Sequence, residues 1–240
     1  MLPGSSGADG REEITMDMKK LAGDKAATYV KDGMVVGLGT GSTAYHMVNA
    51  VGEMVKNGLK IQAIPTSKAT EAQARELGIP LLTIDQVDHV DLDIDGVDEI
   101  DPQFNAIKGG GGALYREKVV ATLAKEVIWI MDESKLVDKI GAFHLPVEIA
   151  QYGSKQAMAK MEEYGFHPVL RVKDGKTFVT DNGNFIADLH LGAGFDIEDV
   201  RQKISGIVGV LEHGLFLNMC KRMIVGCASG EVKVIENPAK

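Results

Sequence analysis

The sequence has only two cysteines, Cys220 and Cys227. That is too few for a disulfide framework or a four-cysteine zinc site. Both read as buried, apolar thiols of a reducing compartment. A membrane-spanning run is missing as well. The long uncharged run that includes 34–52 is broken by Thr, Ser, His and Asn, whereas a span needs about 20 mainly apolar residues. Basic residues do not dominate either: 26 Lys and Arg stand against 34 Asp and Glu, a formal net charge of −8. Duplex nucleic acid, held chiefly by Lys and Arg on phosphates, is thereby excluded as a partner. A small anion is not, because one pocket can carry a field opposite to that of the whole. The opening MLPGSSGADGR lacks the apolar core of a signal peptide and is rich in Gly and Ser. Residues 1–15 read as a flexible leader outside the fold.

What is present is ordinary globular material: 240 residues, 45% apolar and 25% charged, enough for one large or two small domains. A helical pattern over 16–30 leads to an apolar strand at 34–38, a glycine-rich turn and a second helix opening near Ser42. Strands are expected at 59–64, 81–84, 90–95 and 127–131, with helices at 68–77 and 114–124. Strands alternating with helices indicate βαβ units and a parallel sheet. The character changes after Lys139. From Leu145 the order is strand, helix (155–164), three strands (169–172, 177–180, 185–189), helix (198–205) and strand, with hairpin signals at Asp174-Gly175 and Asn182-Gly183. Strands at 223–226 and 232–235 return to the first unit. The expected fold class is α/β. A Rossmann-like parallel-sheet catalytic domain (16–142 and 217–240) carries a smaller α+β second domain of antiparallel sheet plus helices (143–216).

The run VVGLGTGST places a strand, a tight turn and a helix start in succession. Unpaired backbone N–H groups and a helix N-terminus then face an anion. Thr40, Ser42 and Thr43 add hydroxyls without charge. A Walker A loop would need a lysine before Ser42, where Gly41 stands. A dinucleotide fingerprint starting at Gly37 would need glycine at Ser42 and an acid closing the second strand, which ends Ile64-Pro65-Thr66-Ser67. Both nucleotide readings fail, and a phosphate monoester fits best.

From Asp85 to Asp101 there are eight acids and no Lys or Arg. Asp91-x-Asp93-x-Asp95-Gly96 imitates the start of a calcium loop. The twelfth position is Pro102 instead of Glu, however, and the eighth is Asp98 instead of an apolar residue. A solvated acidic edge is the other alternative, against which Val90, Leu92 and Ile94 indicate a strand inside the sheet. Ligands of open α/β sheets bind beyond the carboxyl ends of strands, which puts Asp95 and Asp98 beside the glycine turn. Carboxylates held close together raise the proton affinity of one, which suits acid–base work. Lys108 follows with four glycines, a sequence for close backbone approach to a ligand or for a mobile loop. Glu117, taken alone, reads as a surface glutamate.

The ordered set VGLGTGST, DIDGVDEID, KGGGGALYREK, DESKLVD and VTDNGN resembles the A-type ribose-5-phosphate isomerases, over nearly the whole chain after about Asp17. The leader has no counterpart, and the 173–176 hairpin is longer than in some relatives. The resemblance implies reversible conversion of D-ribose 5-phosphate to D-ribulose 5-phosphate through an enediolate, without metal or organic cofactor. It implies Glu117 as the base moving a proton between carbons 2 and 1, with Asp95, Asp98 and Lys108 around the sugar hydroxyls and carbonyl. By the same resemblance, Thr40, Gly41, Ser42, Thr43, Gly96, Val97, Gly109, Gly110, Gly111 and Lys135 bind substrate, and Lys19 or Lys20 lies near the phosphate. A cytoplasmic homodimer or homotetramer is expected, with no nucleic-acid or membrane partner.

The chemistry agrees. Abstracting a carbon-bound proton needs a positioned base, and the developing oxyanion needs a cation such as Lys108. Asp95, coupled to Asp98, is the candidate for opening the sugar ring. The six histidines are scattered singly and read as structural or exposed. A non-catalytic phosphosugar sensor is the alternative; such sensors carry a helix-turn-helix, for which the leader is too short, and have no use for Glu117 with Lys108. A coenzyme A transferase, on a related sheet, is a third reading. Treatment with chelators should leave isomerase activity unchanged; activity that is lost on stripping and restored by a metal would contradict the cofactor-free expectation.

Overall fold

The structure, a computed structural model, describes residues 17–240; the leader expected at 1–15 and the helix start at Met16 lie outside the described residues. The elements in chain order are α1 (Met18–Ala27), β1 (Val35–Leu38), α2 (Ser42–Lys56), β2 (Gln62–Pro65), α3 (Lys68–Glu76), β3 (Val90–Gly96), β4 (Glu99–Ile100), β5 (Asn105–Ile107), α4 (Leu114–Leu123) and β6 (Ala124–Asp132). Then come β7 (Leu145–Ile149), α5 (Ser154–Glu163), β8 (Pro168–Leu170), β9 (Val172–Lys173), β10 (Lys176–Thr177), β11 (Phe185–Leu189), α6 (Ile197–Ser205), β12 (Val210–His213), β13 (Leu215–Leu217), β14 (Arg222–Gly226) and β15 (Val232–Glu236). No helix among the described residues is long and apolar enough to cross a membrane.

Six strands form the main sheet in the order β15-β14-β6-β3-β1-β2. All neighbours are parallel except β15, which runs antiparallel to β14. The period-two pleat sends Ile128 and Ile130 of β6 into a core beneath α1 and α2, with Val36, Leu38 and Ile94. Trp129 and Met131 point to the opposite core, with Ile100, Phe216, Cys220 and Cys227. Coverage on both faces explains why these strands read as continuous apolar runs. Both cysteines are buried and free. A second sheet, β12-β7-β11-β8, is antiparallel. Its core gathers Leu145, Val147, Ile149 and Leu189 with Met161 of α5 and Ile204 of α6.

Several local expectations are corrected. The strand expected at 81–84 is a single bridge between Leu81 and Ala63. A capping box from Thr83 to Gln86 closes the chain into a 3-10 turn there, before a ladder can extend. The loop expected between β3 and Lys108 holds the short hairpin β4–β5, turned where Asp101 accepts from the N–H groups of Gln103 and Asn105. The strand expected at 169–172 divides at Arg171, with β8 pairing β11 and β9 pairing β10. Asn182-Gly183 lies in a turn closed by Thr180 and Asn184, but no ladder flanks it. Two of the histidines, His144 and His190, are not solitary: their ring centroids are 5.8 Å apart.

One close approach sets the position of α1. Asp17 caps the helix by accepting from the N–H groups of Lys19 and Lys20. The start of α1 then lies on Gly226 so closely that a Cβ there would sit 1.9 Å from the Met18 carbonyl oxygen. Gly226→Ala should lower stability by about 1–3 kcal/mol through overpacking, read as a lower denaturant midpoint. An unchanged midpoint would contradict this seating of α1.

Candidate active site

β1 sits between β2 and β3, so the crossovers leaving its two sides run in opposite directions. That switch point opens a crevice at the strands' carboxyl ends. There the chain turns through Gly39, Thr40 and Gly41 into α2. Gly41 occupies the N-cap at φ +111°, a conformation that favours glycine, and no side chain caps the helix. The first-turn N–H groups of α2 are left for an anion. Gly39 admits Asp95: a Cβ at Gly39 would lie 2.2 Å from Asp95 Oδ1. Asp95 Oδ1 accepts from the N–H groups of Thr40 at 2.9 Å and Gly96 at 2.7 Å.

Thr40 Oγ1 lies 2.7 Å from Thr66 Oγ1, 2.9 Å from Ser67 Oγ and 3.3 Å from Thr70 Oγ1. Thr70 also donates to the Gly39 carbonyl at 2.9 Å. This buried hydroxyl cluster braces the turn, and sequence reasoning missed it. The only available signal was the unusual run Thr66-Ser67 after β2. Lys19 Nζ donates to Ser42 Oγ at 3.0 Å, whereas Lys20 is paired with Asp24 on the helix surface.

Lys108 is the most buried cation among the described residues, with its side chain 2% exposed. Its Nζ donates to the Gly96 carbonyl at 2.5 Å and lies 3.0 Å from Asp95 Oδ2 and 3.2 Å from Glu117 Oε2. The two carboxylate contacts are off the hydrogen-bond direction, so they pair by charge. The rings of Trp129 and Phe216 lie beneath the ammonium, with centroids 5.0 and 5.2 Å away. Burial by itself would weaken the ammonium's hold on its proton; the Asp95 and Glu117 charges outweigh burial and hold Lys108 above its ordinary range. Burial pushes Glu117 up to about 8, with Lys108 partly opposing the rise. Asp95 is raised as well, by burial first, against the pull of Lys108. Asp93, two residues earlier on β3, is wholly buried and neither of its oxygens has a hydrogen-bond partner. Burial and then the Asp95 charge raise it well above the carboxylate range.

Lys19, Thr40, Gly41, Ser42, Thr43, Gly96, Val97, Asp98, Lys108, Gly109, Gly110, Gly111, Glu117 and Lys135 line one cavity of about 120 Å³. Asp98 stands in its wall, accepting from the Gly110 N–H at 2.7 Å. Asp95 does not line the cavity; it lies behind the wall. Glu117, unremarkable in sequence, is 2% exposed because α4 turns this face onto Lys108. A larger hollow of about 520 Å³ between α3 and α4 is lined by Arg75, Tyr115 and Arg116, and none of the expected site residues reaches it. No group of three or more His, Cys, Asp or Glu among the described residues is placed to hold a metal ion.

The Glu117 shift has a consequence for stability. Its proton is held to about 8 in the folded chain but only to the ordinary 4.5 when exposed. The stabilisation is therefore fully present below about 4.5 and is lost as pH rises through about 8. Glu117→Gln removes that loss. The Tm of the variant relative to the unaltered chain should climb between those pH values and then level off. A difference that does not vary with pH would contradict the raised proton affinity.

Comparison with known proteins shows the family of the chain. The family model for ribose 5-phosphate isomerase A (phosphoriboisomerase A) matches residues 62–230. The ribose-5-phosphate isomerase A of Streptococcus gordonii is 55% identical over 221 residues, covering 92% of this chain and 98% of the relative. Among solved structures, ribose 5-phosphate isomerase A of Methanocaldococcus jannaschii is 38% identical with a TM-score of 0.84, covering 91% of this chain and 98% of the other. A D-ribose-5-phosphate isomerase in complex with phospho-erythronic acid is 37% identical with a TM-score of 0.87, covering 92% and 100%. The chain belongs to the ribose 5-phosphate isomerase A family.

Proposed function

We propose that this chain interconverts D-ribose 5-phosphate and D-ribulose 5-phosphate, with Glu117 as the base. The observation that carries the assignment of roles is the Asp95–Lys108–Glu117 cluster, which sits against a cavity whose wall includes the open N-terminus of α2. Phosphate goes to the neutral donors of Thr40–Thr43, with the Lys19 and Lys135 ammonium groups beside them. Anchored there, the phosphate supplies binding energy away from the reacting carbons and orients them. Ring opening falls to the Asp95/Asp98 pair, with Asp98 in the wall and Asp95 behind it. Glu117 then takes the proton from carbon 2 and returns it to carbon 1. Lys108, fully charged between two carboxylates, stabilises the enediolate oxygen between these steps.

The same reading keeps the expected domain division, a catalytic domain of 16–142 with 217–240 and a second domain of 143–216. A cytoplasmic homodimer or homotetramer remains the reading for assembly. Val169 on the edge strand β8 and Val172 on β9 leave apolar surface uncovered, which supports pairing through the second sheet. A phosphosugar sensor has no use for a buried base beside a buried ammonium.

The test is to incubate the chain with ribose 5-phosphate and measure ketopentose. Turnover is expected, with kcat/KM rising with pH as Glu117 ionises around 8. Glu117→Gln should lose about 10²–10⁴-fold in kcat while retaining substrate binding. A Glu117→Gln variant with most of its activity would remove Glu117 as the base, and an inactive but folded wild-type chain would remove the isomerase reading.

A further inference from the structure

The glycine run after Lys108 has no side chains of its own to hold it, and glycine backbone is the most costly to order. An arginine from the second sheet supplies the restraint. Arg171 stands where the chain changes partners between β8 and β9, and its backbone is fixed on both sides. Its N–H donates to the Ile186 carbonyl, and its own carbonyl accepts from the Phe178 N–H. The Arg171 side chain is 11% exposed. Its Nε donates to Asp188 Oδ2 at 2.9 Å and its Nη2 to Asp188 Oδ1 at 2.5 Å. Nη2 also lies 3.4 Å from His144 Nε2. The remaining nitrogen, Nη1, donates to the carbonyls of Gly109 at 2.8 Å and Gly110 at 3.1 Å.

Peptide planarity carries this grip across the loop. In a trans peptide the N–H points away from the preceding carbonyl oxygen. Holding the Gly109 oxygen therefore aims the Gly110 N–H the other way, where it meets Asp98 Oδ2 at 2.7 Å. Holding the Gly110 oxygen likewise aims the N–H of Gly111, a residue of the cavity wall, away from Arg171. That N–H makes no hydrogen bond among the described residues. Phe178 closes the far end of the loop, since a Cβ on Gly112 would lie 2.4 Å from its ring. We infer that Arg171, oriented by Asp188, is a positioning residue of the isomerisation: it fixes the glycine loop so that the Gly111 N–H serves, with Lys108, as a donor to the enediolate oxygen. Lysine cannot substitute, because one ammonium lacks the fork that grips a carboxylate and two carbonyls together. The inference deepens the isomerase reading and rests on it.

The test compares the full-length wild-type chain with Arg171→Lys and Arg171→Met. The readouts are kcat, KM for ribose 5-phosphate, thermal unfolding, and inhibition by phospho-erythronic acid, whose carboxylate places charge where the enediolate carries it. A donor misplaced by about 1 Å costs on the order of 10²-fold. The expected result is a loss of that size in kcat, a KM within about threefold of wild type, and phospho-erythronic acid binding weakened in step with kcat. A purely structural role would lower the unfolding temperature without separating kcat from KM. Folded variants with wild-type kcat, or with a raised KM alone, would overturn the inference. Loss of the folded state in both variants would make Arg171 a fold residue and overturn it equally. A folded wild type without turnover would instead remove the isomerase reading, and the role of Arg171 would fall with it.

Discussion

An ammonium group removed from water is tolerated only where opposite charge and lone pairs replace its hydration. Lys108 meets that condition with Asp95, Glu117 and the Gly96 carbonyl, over the faces of Trp129 and Phe216. Much of the surrounding architecture follows from it. Asp95 must lie under the first turn, which is why Gly39 has no room for a side chain. The β3–β6 register sets Asp95 beside Trp129. α4 must present Glu117 inward, and burial there gives a carboxylate the proton affinity a general base needs near neutral pH. Removing the lysine would leave two buried carboxylates in mutual repulsion.

The same charge logic separates the two tasks of the site. In the proposed mechanism, ring opening draws on Asp95 and Asp98 from the densest acidic segment of a chain whose net charge is −8, and Glu117 of α4 moves the carbon-bound proton. The proposed anion binding uses the neutral amides and hydroxyls of the glycine turn, with Lys19 and Lys135 at the cavity wall. An acidic protein can therefore hold a phosphate, because the turn's donors converge on a point while the acids face Lys108. The two halves meet at the β1/β3 switch point, so one piece of sheet topology places both.

The parallel sheet, the glycine turn and the order of the site motifs were legible because each rests on local signals: apolar runs, positive-φ glycine and fixed spacing. The full cavity-lining set was named through the family resemblance that those ordered motifs carry. What stayed hidden depends on long-range contact. The strands β4 and β5 are too short to show a period. Glu117 has the same neighbours in sequence as any surface glutamate, so only the family resemblance singled it out, and its burial against Lys108 was not legible. Thr66, Ser67 and Thr70 act through Thr40, which lies more than 25 residues away in sequence. Arg171 reaches the glycine loop across 62 residues. Asp93 was readable only as part of a false calcium loop, and its complete burial without a partner is a property of the packed sheet.

The central claim is that Lys108 restrains the proton affinity that burial gives Glu117. A carbon-13 titration of the Glu117 carboxyl, assigned with Glu117→Gln, tests it in the unaltered chain and in Lys108→Met. The account predicts a midpoint near 8 in the unaltered chain, moving higher once the ammonium is gone. A midpoint at the ordinary glutamate value of 4.5, or one that does not move on removing Lys108, would contradict it.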